Sequence, residues 1–254
     1  MAARDHAADA GGDPAALAAK AVLRDEAWQA VVDAGAARFP GAFHRIPNFV
    51  GAEAAAEALR ATPEWQGSAT LKANPDSPQW PVRQRALEDG KTVFMAVPRL
   101  ADDAPFVALR PEEIAVSARK AASIKGSAVH GIPVAVADVG PVALVVTGCV
   151  AVDRTGARLG KGGGFADLEF ALAQAAGMIT HDTVIATTVH DVQVLDAGRI
   201  PVTDHDAPLD LIVTPTRVIR VTPRRARPAG IRWEDLTEEK IASIPLLRRM
   251  AAER

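Results

Sequence analysis

One segment decides the fold of this chain: Gly156-Ala157-Arg158-Leu159-Gly160-Lys161-Gly162-Gly163-Gly164-Phe165-Ala166-Asp167. The apolar residues 142–152 before it predict a buried strand, and residues 165–176 after it predict a helix. Glycines in such a turn let backbone N–H groups approach an anion, and a helix N-terminus adds unpaired N–H groups and the positive end of a dipole. The segment therefore predicts a phosphate-binding turn or a purely structural one, and its chemistry leaves both open.

The charged side chains of this turn suit a polyphosphate and a metal ion. Arg158 and Lys161 add full positive charges, and Asp167 lies where a carboxylate could hold a metal that bridges phosphates. The spacing matches neither the P-loop pattern G-x-x-x-x-G-K-[ST] nor the dinucleotide pattern G-x-G-x-x-G. A phosphate site here would therefore lie outside the two commonest nucleotide-binding motifs.

Composition limits the classes of function. The chain has 254 residues, enough for one large domain or two small ones, and its formal net charge of −2 argues against binding to nucleic acid or an anionic membrane by charge. No apolar run reaches the roughly 18 residues of a membrane span, and the N-terminus lacks the apolar core of a signal peptide. The single cysteine, Cys149, lies in an apolar run and is expected to be buried. We expect a cytoplasmic protein that binds neither nucleic acid nor a membrane; its oligomeric state is left open.

Predicted strands alternate with predicted helices along most of the chain, which is typical of an α/β fold with a mostly parallel, Rossmann-like sheet and helices on both faces. The organisation predicted is a flexible arm over residues 1–13, an α/β domain over 14–222, and an arginine-rich linker with a C-terminal helix over 223–254. Strands are expected over residues 70–73, 91–97, 132–136, 142–152, 183–189 and 209–213. Helices are expected over residues 14–37, 53–61, 81–89 and 165–176.

Three blocks in this order resemble the 5-formyltetrahydrofolate cyclo-ligase (methenyltetrahydrofolate synthetase) family. The first is the pair Lys20 and Arg24 on the predicted N-terminal helix. The second is residues 148–167, where that family has R-L-G-x-G-x-G-Y-Y-D in the glycine-rich turn. The third runs over residues 190–219 and includes Asp204-His205-Asp206. The resemblance covers most of the chain.

The resemblance implies the fold described above and an enzyme that uses ATP and Mg²⁺. In that family the formyl oxygen of 5-formyltetrahydrofolate is phosphorylated, the N10 nitrogen attacks, and phosphate leaves to give 5,10-methenyltetrahydrofolate. An amide oxygen is a poor leaving group and phosphate is a good one, so such an enzyme mainly positions two substrates and neutralises phosphoryl charge. The expected partner is a reduced folate or a similar small molecule.

The resemblance also implies roles for individual residues. Lys20, Arg24, Arg158 and Lys161 would contact ATP, and the last two would also be catalytic cations. The other expected ATP-binding positions are Gly160, Gly162, Gly163, Gly164 and Phe165. The expected Mg²⁺ ligands are Asp167 and Asp206. The expected substrate-binding residues are Asp76, Trp80 and His190, although packing stays open for Trp80 and a structural hydrogen bond stays open for His190.

The chain departs from the family pattern at several positions, and the ATP half of the site is better kept than the folate half. The family's Y-Y-D-R is Phe165-Ala166-Asp167-Leu168 here, and its E-x-x-T substrate loop is Asn74-Pro75-Asp76-Ser77-Pro78. These changes resemble a divergent branch that includes the methenyltetrahydrofolate synthetase domain-containing proteins. Two alternatives therefore stay open: the same fold acting on a different amide-like substrate, or a nucleotide-binding protein without ligase turnover.

Overall fold

The computed structural model describes residues 13–97, 100 and 104–253, so residues 1–12 of the predicted arm lie outside it. The helices in that part of the chain are α1 Pro14–Asp33, α2 Ala52–Arg60, α3 Pro63–Gln66, α4 Trp80–Glu88, α5 Ala118–Ala121, α6 Ile124–His130, α7 Phe165–Ala175, α8 Glu238–Ser243 and α9 Pro245–Ala252. The strands are β1 Thr70–Ala73, β2 Thr92–Ala96, β3 Phe106–Leu109, β4 Ile132–Val134, β5 Leu144–Val146, β6 Ala151–Asp153, β7 Arg158–Leu159, β8 Val184–Thr188, β9 Val194–Leu195, β10 Leu211–Val213 and β11 Val218–Arg220.

Eight strands form one sheet in the order β11-β10-β8-β5-β1-β2-β3-β4. Neighbours among the central strands β10, β8, β5, β1 and β2 are parallel, and the edge strands β11, β3 and β4 pair antiparallel. The predicted mostly parallel α/β sheet is confirmed. The chain extends from β1 to β2 on one side and returns to β5 on the other, so the order reverses between β1 and β5. Ligands of open α/β sheets bind at such a reversal, beyond the carboxyl ends of the strands.

Helices cover both faces of the sheet, as expected. Alternate residues of a strand point to opposite faces. Leu144 and Val146 of β5 belong to one buried apolar cluster with residues of α2 and α4, whereas Val145 belongs to another with residues of α7. No helix in the described part of the chain has the length and apolar character needed to cross a membrane.

Helix α1 packs on a second, smaller sheet with the strand order β7-β6-β9. Leu23 and Val31 of α1 share a buried cluster with Ala151 of β6 and Leu159 of β7. Asp13 caps the helix by accepting a hydrogen bond from the Ala15 N–H at 3.0 Å. This packing brings the first helix of the chain against the strand that precedes the glycine-rich turn.

The expectation of a single strand over residues 142–152 is wrong. These residues form β5 in the large sheet and β6 in the small one, separated by residues 147–150. A Cβ at Gly148 would lie 2.9 Å from both the Asp76 Oδ2 and the Gln79 Oε1 atoms, so the chain leaves β5 in close contact with the loop after β1. An apolar run buried throughout does not show where a strand ends. The glycine-rich turn consequently follows β7 of the small sheet rather than a strand of the parallel sheet.

The C-terminal part of the chain packs on the α7 face of the large sheet. Ile244 and Leu247 are buried in the same apolar cluster as Phe170 of α7. Trp233 and Ile241 pack against that cluster while partly exposed. The predicted boundary at residue 222 stays a prediction, and the residues after it contribute to the core of the molecule.

Candidate functional site

Two cations of α1 reach the glycine-rich turn and the loop before β10. The Lys20 Nζ atom lies 2.6 Å from the Asp206 Oδ2 atom, in an ion pair that is almost fully buried. One turn further along α1, the Arg24 Nε atom donates a hydrogen bond to the Gly160 carbonyl at 2.8 Å. Residues four apart share one face of a helix. The two cations predicted from the sequence therefore lie on one face of α1 against these two loops, and their contact with ATP stays a prediction.

The glycine-rich turn ends at the N-terminus of α7. Gly162 has φ +107° and Gly164, the N-cap residue, has φ +63°, which are conformations that residues with a Cβ adopt only at a cost. A Cβ at Gly162 would also lie 3.4 Å from the Arg24 Cζ atom. Gly164 offers no side-chain cap. The unpaired N–H groups in the first turn of α7, an eleven-residue helix, therefore lie next to the cations of α1.

Arg158 is a buried cation with a spare hydrogen-bond donor. It is 5% exposed, and its Nη2 atom forms an ion pair with the Asp167 Oδ1 atom. Burial alone would lower the pKa of Arg158, but Asp167 raises it above its ordinary value, so the guanidinium stays charged. Its Nη1 atom has no hydrogen-bond partner among the residues that the structure describes. A Cβ at Gly160 would lie 3.6 Å from this atom, which places the spare donor against the glycine-rich turn.

The two predicted metal ligands lie on adjacent loops. The Ala207 N–H, next in the chain to Asp206, donates to the Asp167 Oδ1 atom at 3.0 Å. Burial would raise the pKa of Asp206, but Lys20 and hydrogen bonds from Thr203 lower it below its ordinary value. No group of three or more His, Cys, Asp or Glu residues in the described ranges is arranged to hold a metal. Two carboxylates fit Mg²⁺, which usually takes one or two of them together with phosphate oxygens and waters.

Arg83 shapes the loop that follows β1, and the sequence analysis did not assign it a role. Its guanidinium is buried and donates to four backbone carbonyls: those of Asn74 at 2.5 Å, Pro75 at 3.3 Å, Asp76 at 3.1 Å and Ala122 at 2.9 Å. Burial lowers the pKa of Arg83 to about 10, so it is still charged at neutral pH. One signal was available: Arg83 lies on the buried stripe of α4, beside Val82.

Asp76 lies at the reversal point of the sheet, where two oxygen acceptors face the backbone of Gly148. The Gln79 Nε2 atom donates to the Thr188 Oγ1 atom at 3.2 Å, while its Oε1 atom has no partner among the described residues. Burial raises the pKa of Asp76 above its ordinary value, against the opposing effects of Lys161 and other cations. The charge of Lys161, in the glycine-rich turn, is thus felt at the loop after β1.

A buried ion pair joins the large sheet to α7. Lys72 of β1 faces Glu169 of α7, and both side chains are almost fully buried. The Lys72 Nζ atom also donates to the Asn74 Oδ1 atom at 3.2 Å. The sequence analysis missed this pair; the only signal was a lysine between the apolar residues Leu71 and Ala73 of a short strand.

The side chains of Trp80 and His190 form hydrogen bonds and ring contacts within the protein. The Trp80 Nε1 atom donates to the Arg119 carbonyl at 3.0 Å, and the Arg119 guanidinium lies 4.7 Å from the ring centroid. The His190 Nδ1 atom accepts a hydrogen bond from the Val192 N–H at 3.3 Å, and the ring packs edge-on against Phe49. Their contact with a substrate stays a prediction, and the structure shows the packing and capping roles that the sequence left open.

Comparison with known proteins gives similarities over most of the chain. Residues 17–215 match the model of the 5-formyltetrahydrofolate cyclo-ligase family. The methenyltetrahydrofolate synthase domain-containing protein of Bos taurus is 38% identical over 239 residues, which cover 93% of this chain and 63% of that protein. Its Homo sapiens counterpart is 36% identical over 233 residues, which cover 91% of this chain and 61% of that protein. This chain therefore spans a little under two thirds of the length of these curated relatives.

The fold is shared with a solved structure. The solution structure of Aquifex aeolicus 5,10-methenyltetrahydrofolate synthetase matches with a TM-score of 0.52 at 18% identity, over 82% of this chain and 95% of that one. At this level of identity the match concerns the fold alone. The mitochondrial 5-formyltetrahydrofolate cyclo-ligase of Arabidopsis thaliana is 36% identical over 86 residues, which cover 33% of this chain and 31% of that protein.

Proposed function

Since this chain belongs to the 5-formyltetrahydrofolate cyclo-ligase family, we propose that it is an ATP- and Mg²⁺-dependent cyclo-ligase that converts 5-formyltetrahydrofolate to 5,10-methenyltetrahydrofolate. The observation that carries the proposal is the spare Nη1 donor of Arg158, buried and charged beside the glycine-rich turn. An unpaired buried donor on a charged group is costly. A phosphate oxygen at this position would satisfy it.

Four cations serve the phosphate half of the site. Lys20, Arg24 and Arg158 contact the glycine-rich turn or its neighbouring loop, and Lys161 lies within the turn. The partners of Lys20 and Arg158 are the carboxylates of Asp206 and Asp167. Bound phosphates would take over these cations and leave both carboxylates for Mg²⁺, which would neutralise charge on the transferred phosphoryl group.

The substrate half would hold the reduced folate at the reversal point of the sheet. Asp76 and the Gln79 Oε1 atom present acceptors for the N–H groups of the folate ring. Lys161 is part of the glycine-rich turn, and its charge also lowers the pKa of Asp76 against the effect of burial. It would stabilise charge as the formyl oxygen becomes phosphorylated. Arg83 holds the backbone that carries Asp76.

A second candidate function is ATP-dependent activation of a different amide-like substrate. It is favoured by the buried pair of Lys72 and Glu169, which adds charges close to Asp76. Such charges suit a substrate with polar groups of its own at this depth. We propose the cytoplasm as the compartment for either function, on the basis of the single buried thiol of Cys149, whose pKa burial raises to about 11.

The test is a turnover assay. The purified protein is mixed with MgATP and 5-formyltetrahydrofolate, and the absorbance of the methenyl product is followed. We expect product that requires ATP and is lost in Asp167→Asn but kept in Asp182→Asn, a matched change at an exposed aspartate. ATP binding without product would contradict the cyclo-ligase proposal and leave either a different substrate or a nucleotide-binding protein without ligase turnover. Product from Asp167→Asn at the parent rate would overturn the assignment of the metal ligand.

A further inference from the structure

Residues 232–243 lie outside the part of the chain that matches the family model, yet they contact both loops of the phosphate half. The Lys240 Nζ atom donates to the Gly163 carbonyl at 3.3 Å and lies 5.4 Å from the centroid of the Phe165 ring. Gly163 and Phe165 flank Gly164, the N-cap of α7. A fifth cation therefore reaches the glycine-rich turn, from the opposite end of the chain to Lys20 and Arg24.

The same segment forms ion pairs with the loop that carries Asp206. Arg232 pairs with Asp204 at 2.9 Å and with Asp235 at 2.9 Å. The Asp235 Oδ2 atom also lies 3.2 Å from the His205 Nδ1 atom. Asp204 and His205, the two residues before Asp206, make these contacts, so the segment and this loop are held together.

Packing keeps Lys240 in place. Trp233, Leu236 and Ile241 pack against the apolar cluster under α7. Thr237 caps α8 by accepting a hydrogen bond from the Lys240 N–H at 3.1 Å. The lysine stem thus starts from an anchored helix, and its ammonium group lies at the glycine-rich turn.

We propose that Lys240 is a nucleotide-binding residue that contacts the phosphates of ATP, and that residues 232–243 form an outer wall of the phosphate half. The inference rests on the proposed function in requiring ATP as the ligand, but it does not require turnover. An ammonium-to-phosphate contact is stronger than an ammonium-to-carbonyl contact because both partners are charged. Arg232 and Asp235 are positioning residues in this arrangement, because they act through the loop that holds Asp206.

The experiment measures ATP binding by calorimetry in the full chain. Lys240→Met removes the charge while keeping an unbranched apolar stem on Phe165, and Lys240→Arg restores the charge. The matched control is Lys125→Met, at an exposed lysine of α6. We expect about a tenfold loss of affinity for MgATP and for tripolyphosphate in Lys240→Met, recovery in Lys240→Arg, and no change in Lys125→Met. Affinity for adenosine should not change.

The outcomes separate this inference from the proposed function. MgATP affinity at the parent level in Lys240→Met, or an equal loss for ATP and adenosine, would overturn the role of Lys240 even if the parent makes methenyl product. If the parent makes no product but Lys240→Met still loses MgATP affinity as expected, the role of Lys240 is supported and only the cyclo-ligase proposal is contradicted. In an active parent, the KM for ATP should rise in Lys240→Met while the KM for 5-formyltetrahydrofolate stays the same.

Discussion

Two buried arginines, one in each half of the proposed site, have different partners and different roles. On the phosphate side, Arg158 pairs with Asp167 and keeps a spare donor against the glycine-rich turn. On the substrate side, Arg83 donates to the carbonyls of residues 74, 75, 76 and 122. Burial lowers the pKa of Arg83, while the neighbouring carboxylate raises that of Arg158. A guanidinium bonded to backbone shapes a loop, whereas one bonded to a carboxylate can exchange that partner for a ligand.

The largest effect is expected from removing the backbone-bound arginine. Arg83→Leu would leave four backbone carbonyls without their donor, and each such carbonyl that stays buried costs roughly 1–3 kcal/mol. The free energy of unfolding, measured by urea denaturation, should fall by about 3 kcal/mol or more. Arg85→Leu, on the exposed side of the same helix, should cost less than about 1 kcal/mol, because its ion pairs with Glu57 and Glu88 are solvated. Equal losses in the two variants would contradict the structural role of Arg83.

The other buried arginine should affect the ligand more than the fold. Arg158→Lys keeps a cation beside Asp167 but removes the spare Nη1 donor and the planar fork. We expect MgATP affinity to fall about thirtyfold, as loss of a charge-assisted hydrogen bond predicts, with a small change in thermal stability. Calorimetry and thermal unfolding of the same sample separate the two effects. A variant that loses stability but binds ATP like the parent would place Arg158 with Arg83 as a structural residue.

The Lys20–Asp206 pair should appear in the pH dependence of stability. The pKa of Asp206 is below its ordinary value in the folded chain, so its contribution is present above the ordinary value of 3.8 and is lost as pH falls through the folded value. We expect Asp206→Asn to lower the free energy of unfolding by about 1 kcal/mol at pH 7, and by much less in acid. Chemical denaturation at several pH values measures this. A loss that is the same at every pH would contradict the ion-pair assignment.

The smallest effect on stability is expected at Asp76, where the pH dependence has the opposite sign to that at Asp206. Its pKa is raised in the folded chain, so the unfolded chain loses this proton first and stability falls as pH rises from the ordinary value of 3.8 to the folded value. Asp76→Asn should therefore raise the free energy of unfolding at pH 7 by less than about 1 kcal/mol, which appears as a slightly higher melting temperature. The same change should weaken substrate binding. Thermal scans from pH 3 to 7 test the effect on stability. A less stable Asp76→Asn at pH 7 would show that the ionised carboxylate stabilises the fold.

The features predicted correctly are mostly local ones, which depend on residues close together in the chain. Lys20 and Arg24 are four apart on a helix, and β1, α4 and α7 lie within a residue or two of their predicted bounds. Strand β3 and helices α5 and α6 were not predicted, because they are short. The run over residues 142–152 was misread because burial on both faces conceals the end of a strand.

The sequence by itself determined the α/β class, the glycine-rich turn at a helix N-terminus, and the cations available near it, because helix periodicity, glycine and charge act over a few residues. Only the tertiary structure decided which cations have a spare donor. Arg83 and Arg158 are the same residue type, and their roles differ through partners that the folded chain brings to them. The same holds for Lys240, which comes from the far end of the chain to the turn at Gly163. Such contacts depend on packing and on the burial of charge, which no local pattern in the sequence records.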